Sequence, residues 1–233
     1  MTTYESFKQD ASTHRTIPII QSFYTDTLTP IHMFHALKDE AVYMLESQDP
    51  ESPWSNYSFI GLDPMVEIKE EDSSFTVMDF HKKKQQTAGS FKEAFNQVVD
   101  QLDVKIPDIA LPFTGGGVGY ISYDAISDYE PVPAAKTDDL NLSNYHLLFC
   151  QTLIAYHHRT KETTILSFAR LDEHPSQEET FDAAKARIKA VQNRLMNQQG
   201  LTDLMLSEDV PDENDLELES NYEHNQFKED VEK

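Results

Sequence analysis

The chain has 233 residues, 39% apolar and 26% charged, which is enough for one sizeable core or two small ones in a globular protein. Its net charge of −22, from 41 acidic and 19 basic residues, repels nucleic acid and anionic membranes at long range. No apolar run approaches the length of a membrane span. The polar stretch Met1 to Lys8 lacks a secretory core. The single cysteine, Cys150, closes the apolar run Leu147-Leu148-Phe149 and reads as a reduced, buried thiol of a cytoplasmic protein.

In chain order, Ile17 to Phe23 reads as a strand. Thr29-Pro30 opens a helix, with threonine as N-cap and proline at the first helical position, and Ile31, Phe34 and Leu37 form its narrow apolar face. Val42 to Glu46 and Tyr57 to Ile60 predict two strands around the loop Gln48 to Asn56, and the first of them runs straight into Glu46 and Ser47. Met65 to Lys69 and Phe75 to Phe80 follow, the latter with Phe75, Val77 and Asp79 in one register. Lys82-Lys83-Lys84, the only basic cluster, falls in a turn. Ser90 and Glu93 form a capping box, and the helix they open places Phe91, Phe95 and Val98 on one side. Gly115-Gly116-Gly117-Val118-Gly119 has neither the Lys-Ser/Thr of a P-loop nor the third glycine of a dinucleotide fingerprint. It continues through Tyr120, Ile121 and Tyr123 as a strand, where glycines mark a bulge or a close backbone approach.

Tyr145 to His157 and Thr163 to Arg170, joined by the polar turn His158 to Glu162, predict an antiparallel hairpin. Ser176 and Glu179 cap a helix whose Phe181, Ala184, Ile188, Val191 and Leu195 repeat at amphipathic spacing, with Gly200 as its stop. Residues 201–219 are acidic and without period, which predicts a linker; the stretch from Asp203 onward supplies −10 of the net charge. Ser220 to Glu223 forms a third capping box, and the helix it opens, with Phe227 and Val231 one turn apart, reaches Lys233 without a stop signal. The sequence therefore reads as cut inside a helix.

No metal site is expected. His32 and His35 share a helix face without a third ligand, and His157 and His158 point to opposite sides of a strand. Asp124, Asp128 and Glu130 read as a solvated loop cluster. The strand end at Glu46 and Ser47 admits two readings: a hairpin finishing in polar residues, or the edge of an apolar wall suited to a ligand with an apolar body and a charged head.

Three blocks stand in order along nearly the whole chain: Leu45-Glu46-Ser47 with Tyr57-Ser58-Phe59-Ile60-Gly61; Gly115 to Asp124; and Thr152 to Tyr156 with Phe168-Ala169-Arg170. Together they resemble the N-terminal region of anthranilate synthase component I, a chorismate-utilising enzyme. Aminodeoxychorismate synthase component I shares that architecture and is the near rival. A free-standing acidic interaction module is the alternative from a different class. The resemblance implies an α+β fold with largely antiparallel, sandwich-like sheet and helices packed outside. Residues 1–200 would form the N-terminal domain, 201–219 an acidic linker, and 220–233 the start of a helix leading into a chorismate-binding domain that this chain lacks. It also implies that Leu45 faces the indole of the feedback inhibitor L-tryptophan. Glu46 and Ser47 would line its polar end, Ser47 through a hydrogen bond to the amino-acid head group. Asn56 stands where many relatives carry a basic residue before the Tyr-Ser pair. No catalytic residue and no cofactor belongs to this chain in that reading, and alone it is inactive. The parent enzyme would bind Mg2+ through the other domain, take ammonia from glutamine through an amidotransferase subunit (component II), and convert chorismate to anthranilate.

Overall fold

A computed structural model describes residues 2–47, 53–71, 74–132, 142–197 and 223–231. The chain divides into two units, residues 1–198 and 199–233. The first contains helices α1 (Tyr4–Asp10), α2 (Pro30–Ala36), α3 (Phe91–Leu102) and α4 (Gln177–Met196). Its strands are β1 (Thr16–Tyr24), β2 (Ala41–Glu46), β3 (Tyr57–Glu71), β4 (Ser74–Asp79), β5 (Lys84–Ala88), β6 (Gly117–Ile121), β7 (Tyr145–His157) and β8 (Glu162–Arg170). The second unit contains α5 (His224–Val231), which carries Phe227 and Val231. The capping positions 220–222 and the acidic stretch 201–219 lie outside the described residues.

The eight strands form one antiparallel sheet. Two long strands make its spine: β3 and β7 pair from Tyr57↔His157 to Lys69↔His146. The outer edge of β3 takes β2 along its first half, then β4 and β5 along its second. The outer edge of β7 takes β6 along its first half, then β8 and β1. The spine bends where the register shifts between Pro64 and Val66, next to Asp63 at φ 54°. A non-glycine residue in that region and an inserted residue together increase local twist and curl the sheet. The sequence breaks this spine at Asp63-Pro64 into two short strands; the structure carries the chain through as one.

Each half of the curled sheet has its own core. In the first half α1, α2 and α4 cover one face, with Ile17, Ile19, Leu62, Ile154 and Ile165 beneath them. The opposite face holds Phe59, Leu153, Leu166 and Phe168 under an irregular segment that includes Ile109, Leu111 and Phe113. The second half packs Ile68, Val77 and Tyr145 against α3. Strands covered on both faces need no alternation, and Thr163 to Arg170 is buried without a break. By contrast β4 alternates, with Phe75, Val77 and Asp79 inward as the sequence indicates.

Several helical faces differ from the sequence reading. Helix α1 is unforeseen: Thr3 caps it and its single buried residue, Phe7, meets Phe181 of α4 at 5.3 Å. In α2, Met33 and Leu37 enter the core while Ile31 is 59% exposed. In α3, Ala94, Val98 and Leu102 face inward, and Phe95 lies at the margin, 6.3 Å from Phe149. Ser90 accepts from the Glu93 N–H, but the Glu93 carboxylate accepts from Gly89 and not from Ser90. Helix α4 ends at Met196 with Asn197 as its cap, short of Gly200. Lys82 and Lys83 occupy the expected turn, while Lys84 opens the polar edge strand β5.

An ion pair buckles the two halves together. The Arg170 guanidinium at the end of β8 donates to both oxygens of Asp79 at the end of β4, at 3.2 and 2.8 Å, and both side chains are buried. Asp172 accepts from the same guanidinium at 3.2 Å, and Gln101 of α3 donates to Asp79. Burial alone would raise the Asp79 carboxyl, but the Arg170 fork, the Lys82 N–H and the two cationic charges together hold it below the usual carboxylate range. No described helix is long and apolar enough to cross a membrane.

Candidate functional site

At one end of the first half-sheet, β2 hands over to Ser47 and a 3-10 turn, Pro53–Asn56, leads into β3. Among the described residues β2 pairs with β3 alone, so it is an edge strand. Leu45 lies opposite Phe59 and Glu46 opposite Ser58. Strand alternation therefore turns Leu45 and Glu46 to opposite faces. Leu45 sits beside the aromatic wall of Phe59, 38% exposed. A ligand meeting both Leu45 and Glu46 must lie across the edge of the sheet.

The polar groups at this end are interlinked. Ser47 Oγ is 3.3 Å from Ser55 Oγ in the 3-10 turn. Ser58 is buried and donates to Glu46 Oε1 at 2.7 Å. His158 Nε2 lies 2.8 Å from the same Ser58 oxygen. The His158 N–H also donates to the Asn56 carbonyl at 2.8 Å, which ties the β7–β8 turn to the start of β3. The Asn56 side chain is exposed and brings no positive charge to the site. Burial depresses the His158 imidazole below its usual range; Glu46 pulls it up, while Lys161 and His157 push it down.

The structure thus gathers Glu46, Ser47 and Asn56 around one strand end with Leu45 on its apolar side, and adds Ser58 and His158. Ser58 was readable as a hairpin partner of Glu46. His158 lies a hundred residues further on, and only the β3–β7 pairing brings it in. His157 and His158 do face apart: His157 packs edge-on to Tyr57 at 4.5 Å while His158 reaches Ser58.

The glycine block behaves as a close backbone approach. A Cβ at Gly119 would come 1.9 Å from the His146 carbonyl oxygen, and one at Gly115, where φ is 118°, would enter the Phe168 ring. This segment and α3 line an apolar cavity of about 280 Å³ with Cys150 in its wall. Cys150 is buried and free; burial, with Asp63 nearby, pushes its thiol up to about 12, against a hydrogen bond from Tyr43. Asp128 is not simply solvated, because it accepts from the Tyr145 hydroxyl at 2.8 Å. Among the described residues no three His, Cys, Asp or Glu side chains converge as metal ligands.

Fold and site define an α+β chain with one curled antiparallel sheet and a polar cluster at a sheet edge. No family model matches the chain. It is 40% identical over 232 residues to anthranilate synthase component 1 of Bacillus subtilis (strain 168), covering 98% of this chain and 45% of that protein. It is 39% identical over 233 residues to anthranilate synthase component 1 of Geobacillus stearothermophilus, covering 97% of this chain and 46% of that one. Among solved structures, anthranilate synthase component I from Streptococcus pneumoniae aligns with a TM-score of 0.46 and 20% identity, over 72% of this chain and 36% of that one. The chain is a homologue of anthranilate synthase component 1 proteins and corresponds to their N-terminal region. It spans just under half the length of the two curated relatives.

Proposed function

We propose that this chain is the regulatory, tryptophan-sensing region of an anthranilate synthase component I. In that role L-tryptophan lies across the β2 edge. Its indole rests on Leu45, its head group accepts or donates at Ser47, and its ammonium faces the Glu46 carboxylate. Asn56 borders the head group and supplies no charge to the ligand carboxylate, so that counter-charge comes from elsewhere. The observation that supports this reading is the convergence of Glu46, Ser47 and Asn56 on one strand end, in a chain about 40% identical to component 1 proteins. The names of those relatives favour anthranilate over aminodeoxychorismate synthesis.

Feedback then works by population shift: a ligand that binds one arrangement of the enzyme's parts better than another disfavours the active one. The parent enzyme would act in the cytoplasm, convert chorismate to anthranilate with Mg2+ held by its other half, and take ammonia from a glutamine amidotransferase partner. The present chain would have no turnover by itself.

Isothermal titration of L-tryptophan into the chain, with L-phenylalanine as control, tests the reading. The expected result is binding specific for tryptophan and weakened roughly fivefold in Ser47→Ala, the loss of about one hydrogen bond. Equal affinity for both amino acids, or a Ser47→Ala variant that binds like wild type, would count against it.

A further inference from the structure

Ser58 has one hydroxyl proton and two hydrogen-bonding neighbours. Ionised Glu46 can only accept, so the Ser58 proton goes to Glu46 Oε1. The contact of 2.8 Å to His158 is then made by His158 donating from Nε2, and this fixes the neutral tautomer. The result is a one-way chain, His158 Nε2–H to Ser58 Oγ–H to Glu46, running from the β7–β8 turn through a buried hydroxyl to an exposed carboxylate. The second Glu46 oxygen has no hydrogen-bond partner among the described residues, so it is available at the sheet edge.

We propose that His158, acting through Ser58, sets how much negative charge Glu46 can offer to a ligand ammonium, so that tryptophan binding at this edge weakens when His158 takes up a proton. This rests on the tryptophan reading above. Protonation at Nδ1 leaves the hydrogen-bond chain in place but turns its far end into a cation, which competes with the ligand ammonium for the same carboxylate. The other groups facing His158 among the described residues are Lys161, His157 and the Tyr156 ring, edge-on at 5.3 Å. The Lys161 ammonium lies 5.9 Å from the Tyr156 ring centre. His157 accepts the Arg159 and Thr160 N–H groups on Nδ1 and faces the other side of the sheet. His158 is therefore a positioning residue with a titratable handle, and by linkage tryptophan in turn makes its ring harder to protonate.

The test is tryptophan titration of the full chain at pH 7.5 and 5.5, in wild type and His158→Gln, whose amide still donates to Ser58 but does not titrate. Wild type should bind about fivefold more weakly at pH 5.5, the low end of site–site couplings, and His158→Gln should be flat. NMR titration of the His158 ring without ligand supplies an independent arm: Glu46→Gln should lower its midpoint. Parallel pH slopes in the two proteins, or a His158 midpoint unmoved by Glu46→Gln, would overturn the proposal. Absence of tryptophan binding at either pH counts against the tryptophan reading instead, and the NMR arm then decides alone whether Glu46 and His158 are coupled.

Discussion

The two halves of the curled sheet solve burial differently. In the first half, β8 and the facing part of β7 are covered on both sides, by three helices and by the segment running past Phe113. In the second, β4 alternates and β5 is largely exposed, with α3 and the 3-10 turn carrying Ala125 as cover. Hydrogen bonding there is uneven: the buried Thr152 and Thr163 hydroxyls of β7 and β8 have no partner among the described residues, whereas Ser58, the buried hydroxyl at the start of β3, has two. The half with the thicker core carries the interlinked polar cluster at its β2 edge, while the thinner half ends in the polar strand β5. Asp79 and Arg170 span the divide, and their removal should be the most damaging change.

Asp79→Ala leaves a buried guanidinium short of its best partner. Removing one member of a buried pair typically costs about 3–5 kcal/mol, and the low end applies here because Asp172 remains. A fall of roughly 10 °C in melting temperature is expected. The acid limb should change as well. The Asp79 and Asp172 carboxyls are both held low in the folded chain: burial raises each, but hydrogen bonds and charge from Arg170 and Lys82 outweigh it. Their stabilisation is present above the unfolded carboxylate value of about 3.9 and is lost as pH falls through the lower folded values. Acid melts below about pH 4 should therefore be shallower in Asp79→Ala than in wild type. Unchanged stability at neutral pH would show that the halves are not buckled by this pair.

The same contrast explains what the sequence could and could not reveal. The continuous apolar runs of β7 and β8, and the spacing of Phe181, Ile188 and Leu195 in α4, announce themselves because burial there is one-dimensional. Helix α1 does not, since seven residues with one buried side chain lie below helical nucleation and are held by Phe7 on Phe181. Asp63-Pro64 reads as a break because the curl that carries the strand through it is a tertiary consequence. Ile31 and Phe95 look inward by period, yet the core selects Met33 and Ala94. At the site, the Leu45-Glu46-Ser47 triplet was legible, whereas His158 depends on two long strands finding their register.

Gly119 and Gly61 compare the halves at their edges. A methyl at Gly119 meets the His146 backbone carbonyl oxygen, which cannot move without unpairing β6 from β7. One at Gly61 meets the Tyr43 ring at 2.3 Å, a side chain on edge strand β2 that can swing away. Gly119→Ala should cost about 2–3 kcal/mol and expose β6 amides to hydrogen exchange; Gly61→Ala should cost about 1 kcal/mol and leave β6 protected. The reverse order would mean that the second half, not the first, has the yielding edge.

The smallest effect in free energy is the most local in its report. Cys150 sits at the bend, opposite Pro64, with its thiol pushed up to about 12 and bonded to Tyr43. A thiolate is the reactive species, so a small disulfide reagent should modify native Cys150 only through opening of the fold. For a stability of roughly 5 kcal/mol that means labelling almost four decades slower than an exposed thiol, with a rate that climbs with denaturant like global unfolding. Gly61→Ala displaces the Tyr43 ring, whose hydroxyl neighbours the thiol. Its labelling should be at least about tenfold faster than its small stability loss predicts and nearly independent of denaturant, the signature of a local opening. If both proteins label at rates set by global stability alone, the bend is closed by the packing of β3 on β7 and not by Tyr43, and the two halves open as one.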